Sequence, residues 1–203
     1  LEPLASSSAV LESEEREMGV CLVDIGGGTT DIAVFSRGGI RYTGVIGLGG
    51  HNVTNDIAIG LRTSWAVAED LKCKAATLDL SQIHSEEQVE VPNFTDRPNQ
   101  NISRILLAEI VEARMEEIFL LVRDKLDKKR LDLASGIVLT GGGALLNGVV
   151  KRGEQILGLP VRLGVPNEVH GMVEGIERPS HASAIGLAFL AREQLGEENY
   201  SYF

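Results

Sequence analysis

The sequence predicts an α/β fold: a mixed five-stranded sheet with helices, interrupted by a small α/β insertion subdomain. Three observations carry this expectation. The apolar run Val20-Cys21-Leu22-Val23 leads into Asp24-Ile25-Gly26-Gly27-Gly28-Thr29-Thr30-Asp31, so a buried strand turns on glycines and returns as a second strand. A second buried run, Ile137-Val138-Leu139-Thr140, enters Gly141-Gly142-Gly143-Ala144. Between them, Ile110, Ile118, Leu121, Val122 and Leu126 give a long segment the apolar stripe of an amphipathic helix.

Taken in order, residues 1–11 read as the end of a helix. Gly19 to Ile25, Asp31 to Phe35 and Ile40 to Ile46 read as three antiparallel strands, the last two joined by Ser36-Arg37-Gly38-Gly39, whose glycines accept positive φ. Gly47-Leu48-Gly49-Gly50 breaks the pattern, and Asn52 is suited to cap a helix carrying Ile57 and Leu61. A short helix follows over Ala66 to Lys72, then a strand at Gln88-Val89-Glu90-Val91 and an exposed loop over Asn93 to Asn101. Ser103 is a natural cap for the long helix, with Asp124 and Lys128 paired on its surface. After the second glycine loop come a short helix over Leu145 to Arg152, a strand at Val161-Arg162-Leu163 and a terminal helix from about Ser180 to Leu195. The expected division is 1–50 and 106–203 for the larger unit, with 51–105 as the insertion.

The first glycine loop carries chemistry. Consecutive glycines reach backbone angles closed to other residues, so their amides can converge on an anion. The hydroxyls of Thr29 and Thr30 add donors, and Asp24 is placed to hold a metal ion through water. A plain glycine hairpin turn is the alternative, but it has no need of an aspartate at each end. Asp31 serves equally well as a hairpin cap accepting loop amides. On the long helix Glu109, Glu112 and Glu116 share one face, which calls either for a cation or ligand hydroxyl opposite them or for open solvent. Arg114 fits a structurally paired arginine.

Composition narrows the class. A net charge of −10 without a basic stripe argues against a nucleic-acid partner. The hydrophobic content of 43% suffices for a core, and no apolar run reaches membrane-spanning length. Of the two cysteines, Cys21 fits a buried strand thiol and Cys73 a surface thiol whose pKa Lys72 and Lys74 would lower. The histidines are scattered, and no His/Cys set has zinc-ligand spacing.

The paired glycine loops resemble the second phosphate loop and the adenosine loop of the actin-like ATPase superfamily. Leu1-Glu2-Pro3-Leu4-Ala5-Ser6-Ser7, Val53-Thr54-Asn55-Asp56-Ile57-Ala58, Ala68-Glu69-Asp70-Leu71-Lys72, Val89-Glu90-Val91-Pro92, residues 107–114, 136–146 and 182–187 together resemble the FtsA family of bacterial cell-division proteins. The resemblance implies the actin-like (ribonuclease-H-like) fold, with the third and fourth actin-type subdomains, and an excised second half of a longer protein. It implies ATP and Mg2+ as cofactors. Gly26, Gly27, Gly28, Thr29 and Thr30 would surround the β- and γ-phosphates, Gly142 and Gly143 would approach the ribose and α-phosphate, and Leu145 or Leu146 would lie near the base. Glu112, and after it Glu109, would face the ribose.

The implied partners are the carboxy-terminal tail peptide of FtsZ, further copies of the same protein in actin-like filaments, later division proteins, and the cytoplasmic face of the inner membrane through a carboxy-terminal helix. Arg97, Arg104, Lys72 and Lys74, beside Ile102, Ile105 and Leu106, are the expected cations of the tail-peptide site. A sugar or acid kinase half on the same fold, or a peptide-binding module with vestigial loops, are the alternatives.

Overall fold

A computed structural model describes residues 2–92, 99–129, 131–167 and 175–200, with side chains to residue 195. Helices α1 (Glu2–Val10) and α2 (Ser13–Met18) precede strands β1 (Val20–Ile25), β2 (Thr30–Ser36) and β3 (Gly39–Ile46). Next come α3 (Gly50–Leu61), α4 (Trp65–Lys74), β4 (Gln88–Val91), β5 (Gln100–Ser103) and the 24-residue α5 (Arg104–Asp127). The chain closes with β6 (Ile137–Thr140), α6 (Val149–Leu157), β7 (Val161–Leu163) and α7 (Ala182–Tyr200).

The main sheet has the order β3-β2-β1-β6-β7. β1 to β3 run antiparallel, while β6 pairs parallel to β1 and β7 parallel to β6. It is the mixed five-stranded sheet that the sequence predicts. The unbroken apolar run of β1 follows from burial on both faces. Cys21, Val23 and Ile25 join Ile32, Val34, Ile137 and Leu139 in a core with Val111, Met115, Ile118 and Phe119 of α5. The alternate residues Val20, Leu22, Ala33, Phe35 and Val138 pack with Ala9 and Val10 of α1 and Ala182 and Ile185 of α7. Gly186 permits the close crossing of α1 and α7, since a Cβ there would overlap the carbonyl oxygen of Ala5.

The structure departs from the sequence reading at several joints. The β2–β3 turn places Arg37 (φ 52°) and Gly38 (φ 69°) in the left-handed region, rather than its two glycines. Two residues there give the mirror-image turn that matches strand twist. The helix expected at Leu145 starts only at Val149, because Gly148 takes φ 81° and Gly142–Leu145 forms a 3-10 turn. Asn52 caps α3 from within its first turn, accepting the Gly49 amide at 2.9 Å. Strand β5 occupies part of the expected loop and pairs antiparallel with β4 in a separate two-stranded sheet. Leu121 of α5 is exposed, whereas Ser103 caps that helix and Asp124 pairs with Lys128 at 2.6 Å, both as expected. Among the described residues no helix is long and apolar enough to cross a membrane.

Candidate functional site

Because β1 and β6 are adjacent and parallel, with Asp24 beside Thr140 in register, both glycine loops leave the same sheet edge. Carboxyl ends of neighbouring parallel strands are where open α/β sheets bind ligands. The first loop is closed by the Gly26 amide donating to Thr29 O at 2.9 Å. Its outer side is tied to the start of α3, where the amides of Gly50 and His51 donate to Gly26 O (2.9 Å) and Gly27 O (2.8 Å). A Cβ at Gly49 would stand 2.6 Å from Gly26 O, so only glycine allows this approach.

The second loop turns at Gly141, φ 86°, whose amide donates to Pro179 O at 3.1 Å. Thr140 is buried beneath it, with carbonyl oxygens of Gly164 and Pro179 at 3.0 and 3.2 Å from its hydroxyl.

A cavity of about 460 Å³ lies between these loops, α4 and the start of α5. Gly26 and Gly27 line it from the first loop, Gly50 and His51 from α3, and Gly142, Gly143, Leu145, Leu146 and Asn147 from the second loop. Helix α4 contributes Glu69, Lys72, Cys73 and Lys74, with Ala76 after it; Arg104 and Met115 come from α5.

The expected site residues divide accordingly. Gly26, Gly27, Gly142, Gly143 and Leu145 come together around one cavity. Gly28 is an exposed loop tip outside its lining. The Thr29 hydroxyl donates to Asp31 Oδ2 at 2.9 Å, and Thr30 is fully buried, donating to Leu48 O at 2.9 Å. Thr30 therefore buttresses the loop from below instead of facing the cavity. Glu109 is exposed and Glu112 does not line the cavity. The cation opposite the acidic face of α5 is Arg152, at 3.1 Å from Glu112 and 3.0 Å from Glu116. Arg114 is held by Asp56 through two bonds, 2.6 and 3.1 Å, a structural pair.

Asp24 is 8% exposed and accepts from Ser183 Oγ at 3.1 Å. Burial pushes its carboxyl above the usual range, opposed by the hydroxyls of Ser6 and Ser183 and reinforced by Asp31. Among the described residues no cluster of three or more His, Cys, Asp or Glu gathers to hold a metal. The described residues thus offer no cage of protein ligands for a metal ion.

The cations expected at a docking surface are placed differently. Lys72 lies in the cavity wall, 12% exposed, donating to Gly50 O (3.1 Å), Thr54 Oγ1 (2.8 Å) and Glu69 Oε2 (2.7 Å). Arg104 binds Ala75 O at 3.0 Å and Glu87 at 2.8 Å, and Lys74 pairs with Asp70 at 2.6 Å. Arg97 lies outside the described residues. Of the four expected cations, Lys72 and Arg104 are thus bonded into the cavity side of the insertion, and Lys74 stands exposed.

Glu69 and His51 are the site residues that sequence reasoning passes over, with buried Thr54 behind them bonded to Glu69 and Lys72. The Glu69-x-x-Lys72 spacing, one turn apart on a helix, was the available signal. Burial alone would raise the Glu69 carboxyl, but bonds from Lys72 and Thr54 hold it below its usual range. Burial, and after it Glu69, raises the Cys73 thiol, overriding the lysine effect expected there.

A model of the family "Cell division protein FtsA" matches residues 21–186. The chain belongs to the FtsA family. It is 46% identical to FtsA of Pseudomonas aeruginosa over 92% of this chain and 45% of that protein. The corresponding figures for FtsA of Neisseria meningitidis are 43% identity over 94% and 47%. The chain thus spans about half the length of the FtsA relatives it matches. Its fold is actin-like: MreB5 of Spiroplasma citri bound to ADP superposes with a TM-score of 0.76 at 23% identity, covering 98% of this chain and 60% of that one. The PilM–PilN type IV pilus biogenesis complex matches with a TM-score of 0.70 at 21% identity, over 93% and 51%. The FtsA-family match includes both glycine loops and the cavity between them.

Proposed function

We propose that this chain is the ATP-holding second half of an actin-like cell-division protein that anchors FtsZ filaments to the inner membrane and recruits later septum proteins. The observation that carries the reading is the cavity bounded by two glycine loops at adjacent carboxyl strand ends. In it, the Gly26 and Gly27 backbone would receive the β- and γ-phosphates, with Gly142 and Gly143 at the ribose and α-phosphate. Leu145 and Leu146 supply apolar surface for the base. Glu69, which lines the cavity where Glu112 does not, is the carboxylate suited to the ribose hydroxyls. Magnesium, when bound, would supply charge neutralisation at the phosphates, and Asp24 would orient its water.

The relatives are about twice as long, and the other half of the phosphate cradle and the group orienting the attacking water are assigned to their remaining part. The chain alone is expected to bind Mg-ATP weakly and to show no measurable hydrolysis, since transition-state charge is left partly solvated. Calorimetry decides this, and tight stoichiometric binding would overturn it.

The reading also assigns the FtsZ tail peptide to the insertion, at the β4–β5 sheet and first turn of α5, where Leu106 is 44% exposed. Such tails mix carboxylates with apolar residues and fold on binding. Fluorescence anisotropy with a labelled tail peptide should show binding without ATP that weakens at least threefold in Leu106→Glu. Unchanged affinity would place the site elsewhere. Arg104→Glu is unsuitable for this test, because it would break the bonds to Ala75 and Glu87.

A further inference from the structure

The cavity holds three fixed cations, yet each already faces a carboxylate. Lys72 is 2.7 Å from Glu69, Lys74 is 2.6 Å from Asp70, and Arg104 is 2.8 Å from Glu87. All three ammonium hydrogens of Lys72 are engaged, by Gly50 O, Thr54 and Glu69. A polyphosphate entering here therefore meets cations that already have carboxylate partners, and a further donor on this chain would add to what magnesium supplies.

His51 is the remaining ionisable base among the described lining residues. It stands in the first turn of α3, and its backbone amide is bonded to Gly27 O. The Cε1–Nε2 edge of its ring lies over the first glycine loop, 2.9 Å from where a Gly27 Cβ would be. The ring also packs edge-on with Trp65, with ring centroids 5.6 Å apart at 69°. Neither ring nitrogen has a hydrogen-bond partner among the described residues. The ring thus lies by the loop and the tryptophan, on an exposed residue that lines the cavity.

We propose that the His51 ring is a proton-dependent contact for a phosphate oxygen of the bound nucleotide. The inference rests on the cavity being the nucleotide site. The charged groups around His51 are Glu69, Lys72, Cys73 and Lys74 of α4 and Arg104 of α5, with Asp24 and Asp31 flanking the loop; the cations are paired as described. Bound phosphate favours imidazolium, and by linkage affinity rises as pH falls through the histidine titration.

The test is nuclear magnetic resonance of the four histidine rings during pH titrations with and without Mg-ATP, ADP or adenosine. ATP and ADP should raise the His51 midpoint by about one pH unit, while adenosine leaves it unchanged. Apparent ATP affinity should be higher at acidic than at alkaline pH. His51→Gln should flatten most of that dependence, the remainder being the nucleotide's own protonation. Trp65, the only tryptophan, gives an independent fluorescence readout of the same contact. If ATP shifts Ala76 and Leu146 signals but leaves the His51 midpoint unmoved, the proposal fails and the nucleotide reading stands. If no cavity signal responds to ATP even in the full-length protein, both fall.

Discussion

Gly141→Ala should destabilise this chain by about 3 kcal/mol, whereas Gly142→Ala, one residue on, should leave its stability nearly intact. Gly141 sits at φ 86°, and a Cβ there would press on the Asp24 carboxylate and stand 2.6 Å from Ile25 O. The second obstacle is backbone, and the first is a buried carboxylate held by Ser183, so the loop must move. For a chain of this length the loss corresponds to a fall of about 6–12 °C in Tm. At Gly142 nothing lies within 4 Å of the added carbon. That residue lines the cavity, however, so its methyl should weaken ATP binding by about three- to tenfold. Thermal unfolding followed by circular dichroism separates the two, and equal Tm losses would refute the distinction.

Asp24→Asn should do the reverse, raising stability while weakening Mg-ATP more than metal-free ATP. Burial raises the Asp24 carboxyl above its usual range, so the folded state binds this proton more tightly than the unfolded state. The stability gained from that proton is fully present below the unfolded pKa and is lost as pH rises through the folded one. At pH 7 the residue is a charged group with little solvent and one described hydroxyl bond, from Ser183. Asparagine removes the charge and keeps an acceptor for Ser183, a gain of about 1 kcal/mol and about 2–4 °C at pH 7. The advantage should shrink as pH falls through the folded titration of the aspartate and vanish below its unfolded one. Equal weakening of ATP with and without magnesium would show that Asp24 does not act through the metal.

The parts of this molecule legible in its sequence are those fixed by local chemistry. Buried runs ending in glycines announce β1 and β6, and Ser103 announces α5. Two kinds of feature escape such reading. One is polar sequence recruited into structure: Gln100-Asn101-Ile102-Ser103 is a strand only because β4 lies beside it. The other is the direction in which a helix turns its polar face. Lys72 and Arg104 read as surface cations because sequence cannot show that Gly50, Thr54 and Ala75 wait for them. The same blindness hides Thr30, whose hydroxyl is spent on Leu48. His51 looks like an isolated histidine until α3 sets its ring over Gly27.

The side-by-side pairing of β1 and β6 separates two quantities that a linear chain would link. The gap between the glycine loops is one inter-strand spacing, set by ladder hydrogen bonds between Cys21–Asp24 and Ile137–Thr140. All of the intervening chain leaves the sheet through β3 and returns through α5. It can lengthen, shrink or acquire a new binding face without altering the distance between the loops. Such an arrangement lets a lineage rewrite the β4–β5 side of the insertion while the spacing of the loops is inherited, provided the α3 and α4 residues that line the cavity are kept.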